Sequence, residues 1–254
     1  MTHSRLLVIA DAHVGGAPAE SDAALLAFLD EAPSMGDALL IVGDLFEFWY
    51  GYARAIPRRG FSVAAALSRL TRLMPVSMVG GNHDRWGKPF WLEDAGVAWS
   101  PDELVLEAGH RRILVRHGDG LTERPGRSAW THRIVGHPLT SAVFGLLHPD
   151  LGLRLVDRLS FLLSRPQSPE ERQRYAEQQR QWAEARLAAD PSVDAVVMGH
   201  SHAAALTEPF PGRFYLNPGA WLADGCYAVI TPDGAELRQF NPAAPPPHLT
   251  AAPR

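Results

Sequence analysis

The chain has 254 residues, 46% of them hydrophobic and 20% charged, which is ordinary globular composition. A formal net charge of −4 gives no electrostatic case for nucleic acid as a partner. A single cysteine, Cys226, excludes an internal disulfide and suits a reducing compartment. The apolar run before Asp11 is too short for a signal peptide or a membrane span, so a soluble, cytoplasmic protein is expected.

In chain order, short apolar runs predict buried strands at 6–10 (LLVIA), 38–43 (ALLIVG), 75–80 (PVSMVG), 112–116 (RILVR), 194–198 (DAVVM), 214–217 (FYLN) and 226–231 (CYAVIT). Helical patterns fill the first gaps. Residues 22–32 place Leu25, Leu26 and Leu29 on one stripe; residues 61–73 place Val63, Leu67, Leu70 and Leu73 on another. This alternation predicts crossover units and a largely parallel sheet at the start. Beyond about residue 205 the strands leave no room for helices and predict antiparallel hairpins. The expected class is a layered α/β sandwich with a mixed sheet. The stretch 241–254 is rich in Pro and Ala and predicts a disordered tail.

The residues at the strand ends point to chemistry. The first strand ends in Asp11-Ala12-His13, the second in Asp44 and the third in Gly81-Asn82-His83-Asp84. RILVR ends in His117-Gly118-Asp119, and DAVVMG in His200-Ser201-His202. Singly, each reads as a turn or a cap. Together, all five lie where open α/β sheets bind their ligands, beyond the carboxyl ends of strands. Asp, Asn and His without thiolate suit Mn²⁺, Fe or Zn²⁺. Seven such residues suffice for two ions if one carboxylate bridges them, and the net positive charge left over attracts phosphate and hydroxide.

The order D-x-H, G-D, G-N-H-D, H-G-D, G-H-x-H resembles the calcineurin-like metallophosphoesterases, over about residues 5–240. That resemblance implies an αββα sandwich of mixed sheets over 1–240 and a site with two divalent ions, Mn²⁺ foremost and Fe, Zn²⁺ or Mg²⁺ as alternatives. One ion would be held by Asp11, His13, Asp44 and His202. The other would be held by Asp44, Asn82, His117 and His200. His83 would assist the phosphoryl group, with Asp84 orienting its ring, and Ser201 would be a spacer. Such a site hydrolyses phosphoesters or pyrophosphates by in-line attack of activated water. GDLFEFW (43–49), GNHDRW (81–86), HGDGL (117–121), GHSH (199–202) and NPGAW (217–221) are similar to one branch, the UDP-2,3-diacylglucosamine hydrolases of lipid A synthesis. That branch has Arg where His83 stands and a Tyr soon after H-G-D, where this chain has Trp130. Other readings are a phosphodiesterase or phosphatase of different small-molecule specificity, a nuclease, and a non-catalytic metal-binding scaffold.

The first four ligand groups are about 35 residues apart, but 83 residues separate His117 from His200. The excess predicts a helical cap inserted at about 122–168. Between Arg124 and Arg165 this segment has six Arg against Asp150 and Asp157, beside strongly apolar stretches at 137–148 and 151–165. It reads either as a packed helical hairpin or as a cap that holds acyl chains and touches an anionic membrane surface. In the second case Asn82, His83, Arg124, Trp130 and Arg158 contact a nucleotide-linked glycolipid, and the protein sits peripherally on the inner membrane. The run 168–190 predicts a helix with a Ser168/Glu171 capping box. Its Tyr175 and Trp182 are expected in the core, as are Trp49 and Trp221 beneath the site. Glu47 is open between a structural and a functional role.

Overall fold

The computed structural model describes residues 4–87, 89–121, 137–163 and 168–242. Six strands form one sheet in the order β11-β10-β1-β2-β3-β4. They are β1 (Leu6–Ile9), β2 (Ala38–Val42), β3 (Val76–Val79), β4 (Ala98–Ser100), β10 (Cys226–Thr231) and β11 (Gly234–Gln239). Strands β1 to β4 are mutually parallel, and β10 and β11 join antiparallel. A second sheet has the order β5-β6-β7-β9-β8, from β5 (Glu103–Ala108), β6 (Arg111–Arg116), β7 (Ala195–Val197), β8 (Ala205–Phe210) and β9 (Arg213–Asn217). Here β6, β7 and β9 are parallel while β5 and β8 run against them. Both sheets are mixed, as expected, and the two late hairpins are antiparallel.

Side-chain alternation along the strands builds the layers. Leu6, Val8, Leu40 and Val42 point to the space between the sheets and meet Ile113, Val115, Val197 and Leu216. Leu7, Ile9, Leu39 and Ile41 point the other way, onto helices α1 (Ala19–Met35) and α2 (Phe61–Leu70). Leu114, Val196, Met198 and Tyr215 cover the outer face of the second sheet, under α5 (Pro169–Ala189). The result is helix, sheet, sheet, helix. Strands buried on both faces read as unbroken apolar runs, which is why their positions were legible.

The seven predicted strands are present. The four that no apolar run predicts, β4, β5, β8 and β11, are the ends of the two sheets. Edge strands are half-wetted and tolerate charge and proline, so ELVLEA, ALTEPF and GAELRQ carry no apolar run. Two helical details differ from expectation. Helix α2 stops at Leu70, and Leu73 is exposed rather than part of its stripe. In α5 the buried residues are Gln179, Ala183 and Leu187, one per turn. Trp182 is only partly buried against them, and Tyr175 lies outside the core beneath Arg174. The capping box is present, with Ser168 and Glu171 each accepting from the other's backbone amide.

Helix α1 is pinned by Phe28, fully buried against the rings of Trp221, Tyr227 and Phe240 at 4.9, 5.2 and 5.4 Å. Phe28→Ala is expected to cost about 3–5 kcal/mol, read from the midpoint of urea unfolding. Trp49 and Trp221 are buried, as expected. Two further helices, α3 (Pro138–Gly145) and α4 (Pro149–Leu163), lie between His117 and α5, inside the predicted insertion. Among the described residues no helix is long and apolar enough to cross a membrane.

Candidate metal centre and substrate cleft

The loops after β1, β2, β3, β6 and β7 meet at one end of the sandwich. Among the described residues, five non-glycine residues have positive φ: Asp11 (53°), His13 (47°), Asp44 (49°), His200 (67°) and His202 (56°). All five are predicted ligands. A left-handed residue costs about 1–2 kcal/mol, less for Asp, and such strain persists where the surroundings impose it. The backbone here is bent to aim side chains at a common point.

Ligand atoms of Asp11, His13 and His202 lie within 4.8 Å of one another, as do those of Asp44, His117 and His200. A third such set, His13, Asp44 and His83, joins the two. Asp11 Oδ1 is 3.4 Å from His202 Nε2, and Asp44 Oδ2 is 3.2 Å from His117 Nε2 and 3.9 Å from His13 Nε2. His13 Nε2, His117 Nε2 and Asn82 Oδ1 are buried without a hydrogen-bond partner. Orphaned buried polar atoms are costly and rare. Here two imidazole nitrogens face Asp44, and Asn82 directly precedes His83, whose amide donates to Asp44 Oδ1; unpartnered nitrogen and oxygen atoms of this kind fit divalent cations.

The histidine tautomers are set by their other nitrogens. His117 Nδ1 is 2.7 Å from the Val42 carbonyl and His83 Nδ1 is 2.7 Å from the Glu47 carbonyl, so each Nδ1–H donates there. That leaves Nε2 as the nitrogen turned to the site. Burial alone would raise the Asp44 pKa, but the facing rings of His117, His83 and His13 hold it well below the usual carboxylate range. Burial would lower His117, and Asp44 beside it raises it well above the usual imidazole range. Burial, with His117 as neighbour, pushes His200 down to about 4, so its ring is neutral and able to ligate.

Asp84 does something other than the resemblance implies. Its fully buried carboxylate accepts from the backbone amides of Leu45 (2.8 Å), Gly81 (2.8 Å) and Phe46 (3.4 Å), tying the β2 and β3 loops together. A buried carboxylate needs donors, and these three amides supply them. The His83 ring is oriented by the Glu47 carbonyl instead. Ser201 is likewise more than a spacer: it is buried, and its Oγ accepts from Asn217 Nδ2 at 3.1 Å. Asn217 Nδ2 and Gln179 Nε2 both donate to the Gly199 carbonyl, at 2.9 and 3.1 Å, bracing the turn that presents His200. Arg85 pairs with Asp119 at 2.6 Å and closes the β3 loop onto the β6 loop. Of these supports only the motifs GNHDRW, HGDGL and NPGAW are visible in the sequence, without their roles.

Beside the cluster opens a cleft of about 620 Å³ between the segment after β2 and helix α4. Val14, Phe48, Ile56, Leu153 and Val156 supply apolar wall, and Arg58, Arg59 and Arg154 supply cations. Arg158 is exposed and outside this lining, whereas Arg154, one helical turn earlier, is part of it. Arg124 and Trp130 lie outside the described residues. Helix α3 docks by Phe144, whose ring sits 5.0 Å from Tyr50, 5.4 Å from Trp86 and 5.5 Å from Phe48. Tyr50 Oη donates to the Ser141 carbonyl at 2.9 Å. The outer side of α3 and α4 leaves Leu139, Val143, Leu146, Leu151 and Leu155 exposed.

A fold of this kind with an oxygen and imidazole donor cluster at its strand ends defines a metallophosphoesterase. The model of the calcineurin-like phosphoesterase family matches residues 4–204, and the chain belongs to that family; it is a hydrolase. It is 30% identical over 239 residues to a UDP-2,3-diacylglucosamine hydrolase of Yersinia pestis bv. Antiqua, covering 92% of this chain and 98% of that one. The likeness to a UDP-2,3-diacylglucosamine hydrolase of Yersinia pseudotuberculosis has the same extent. Among solved structures, Vacuolar Protein Sorting 29 of Cryptosporidium parvum matches with a TM-score of 0.45 at 13% identity, over 96% of this chain and 95% of that one. The phosphoesterase YfcE of E. coli matches with a TM-score of 0.41 at 16% identity, over 93% and 100%.

Proposed function

We propose that this chain hydrolyses the pyrophosphate of UDP-2,3-diacylglucosamine, releasing UMP and 2,3-diacylglucosamine 1-phosphate. The observation that carries the reading is the cleft: apolar side chains and arginines line one space that also borders Glu47, at the edge of the donor cluster. An acylated, anionic substrate matches both kinds of wall. Curated relatives of that name at 30% identity support it.

In this reading Asp11, His13, Asp44 and His202 hold one ion and Asp44, Asn82, His117 and His200 the other, with Mn²⁺ as the preferred metal. Bound ions of this kind lower the pKa of water and offset phosphoryl charge. His83 turns Nε2 outward. Burial lowers its pKa, but Asp44 and Glu47 raise it above the usual imidazole value, which favours the protonated ring that would donate to a phosphoryl oxygen or the leaving group. Arg154, Arg124 and Trp130 bind the head group. The exposed leucines of α3 and α4 rest on the cytoplasmic face of the inner membrane as a peripheral contact.

The test compares kcat/KM on UDP-2,3-diacylglucosamine, on a UDP-sugar without acyl chains, and on an aryl phosphodiester. The acylated substrate is expected to win by about 10²-fold or more, since each apolar group lodged in the cleft adds about 1–3 kcal/mol of discrimination. Equal rates on all three favour a phosphodiesterase of other specificity, which His83 in place of Arg would suit.

A further inference from the structure

Glu47 stands between the cluster and the cleft, and it holds two histidines by two different atoms. Its carboxylate Oε2 is 3.0 Å from His13 Nδ1, while its backbone carbonyl is 2.7 Å from His83 Nδ1. His13 Nε2 is then the nitrogen left buried without a partner, facing Asp44. We propose that Glu47 is a positioning residue, whose carboxylate keeps His13 in the Nδ1–H tautomer with Nε2 offered to a metal ion. This rests on reading the cluster as a metal centre.

The side chain is itself held in place from behind. Glu47 N donates to the Val14 carbonyl at 3.1 Å, so the 44–47 segment runs beside the His13 loop. Gly16, in that loop, lies flat against the Glu47 side chain. A methyl group there would fall 2.8 Å from Cγ and 2.9 Å from Cδ and Oε2. Gly16 does not have positive φ, so alanine is permitted on the backbone, and relief comes from swinging the carboxylate away. Two substitutions at different residues therefore remove the same contact. The hydrogen bond from His83 goes to a backbone atom and survives both of them, while the longer 3.9 Å approach of Glu47 Oε1 to His83 Nδ1 is lost with the carboxylate.

The experiment measures Mn²⁺ binding to the full chain by calorimetry, with bound metal counted by elemental analysis. Histidine ¹⁵N spectra of the metal-free protein report the tautomer of His13. Glu47→Ala and Gly16→Ala are each expected to weaken one of two Mn²⁺ sites about 10–100-fold, the usual cost of losing such a partner. Glu47→Gln, which keeps an acceptor oxygen for Nδ1–H, is expected to bind nearly as the wild type does. The Gly16→Ala/Glu47→Ala pair is expected to lose no more than Glu47→Ala alone, because both act through one contact. The His13 signal should show Nδ1–H in the wild type and in Glu47→Gln, and a tautomer mixture in the other two. A wild-type chain that takes up no Mn²⁺ overturns the metal centre and this inference together. Two sites in the wild type, with Glu47→Ala and Gly16→Ala matching it in affinity and His13 tautomer, overturn the inference alone.

Discussion

Asp44→Asn is expected to reduce phosphodiester hydrolysis by about 10³-fold or more and to leave the chain with at most one tightly held ion. Asparagine keeps the shape. It also tolerates the left-handed backbone at φ 49°, and its oxygen can still accept from the His83 amide, as Asp44 Oδ1 does at 3.0 Å. What it removes is the charge that His117 and His13 face across 3.2 and 3.9 Å. Asp44 is the carboxylate common to two of the three ligand groupings, so its loss reaches both sides of the cluster. The measurement is metal content together with turnover of an aryl phosphodiester at limiting and at excess Mn²⁺. A rate within tenfold of wild type at limiting metal would mean that Asp44 does not bridge.

The cluster of candidate ligands was legible because of where its members fall, not because of any one of them. Asp11, Asp44, Asn82, His117 and His200 each close an apolar run, and apolar runs mark strands buried on both faces. What holds those ligands was not legible. Asp11 takes the amide of His200, 189 residues away, and Asp84 takes that of Leu45, 39 residues away. Side chain to backbone bonds across such distances leave no local pattern. Glu47 and Asn217 fall inside the motifs GDLFEFW and NPGAW, but their partners His13 and Gly199 lie 34 and 18 residues away, so the motifs do not tell their roles; Gln179, inside a polar helix, has no motif at all. The edge strands were missed for a different reason: half-exposed backbone permits polar sequence. On α4 it is Arg154 and not Arg158 that lines the cleft; the two share a helix face, so what separates them is position along the helix, and the depth to which α4 reaches over the segment 52–59 has no local mark in the sequence.

Gly81→Ala should disable the centre nearly as fully as Asp44→Asn, although it changes no ligand. Gly81 lies against Asp44 so closely that a Cβ would overlap Asp44 Oδ1 and come within 2.5 Å of its backbone nitrogen. These atoms cannot yield cheaply. Oδ1 is tied to the His83 amide, and the Gly81 amide is itself tied to Asp84 Oδ1 at 2.8 Å. Crowding of this kind costs about 1–3 kcal/mol. At about 2–4 °C per kcal/mol for a chain of this size, the melting temperature should fall by several degrees. The larger effect is on turnover, since a shift of about 1 Å in a positioned group can cost about 10²-fold. Gly80→Ala separates the two effects. Its Cβ would press on Arg85 Cα at 3.1 Å and on Trp99 at 3.2 Å, without touching a ligand. It should lower stability by less than Gly81→Ala does, while keeping two ions and most of the rate. If Gly81→Ala keeps turnover and metal content as Gly80→Ala does, the approach of Gly81 does not place Asp44; if only Gly81→Ala loses its second ion, it does.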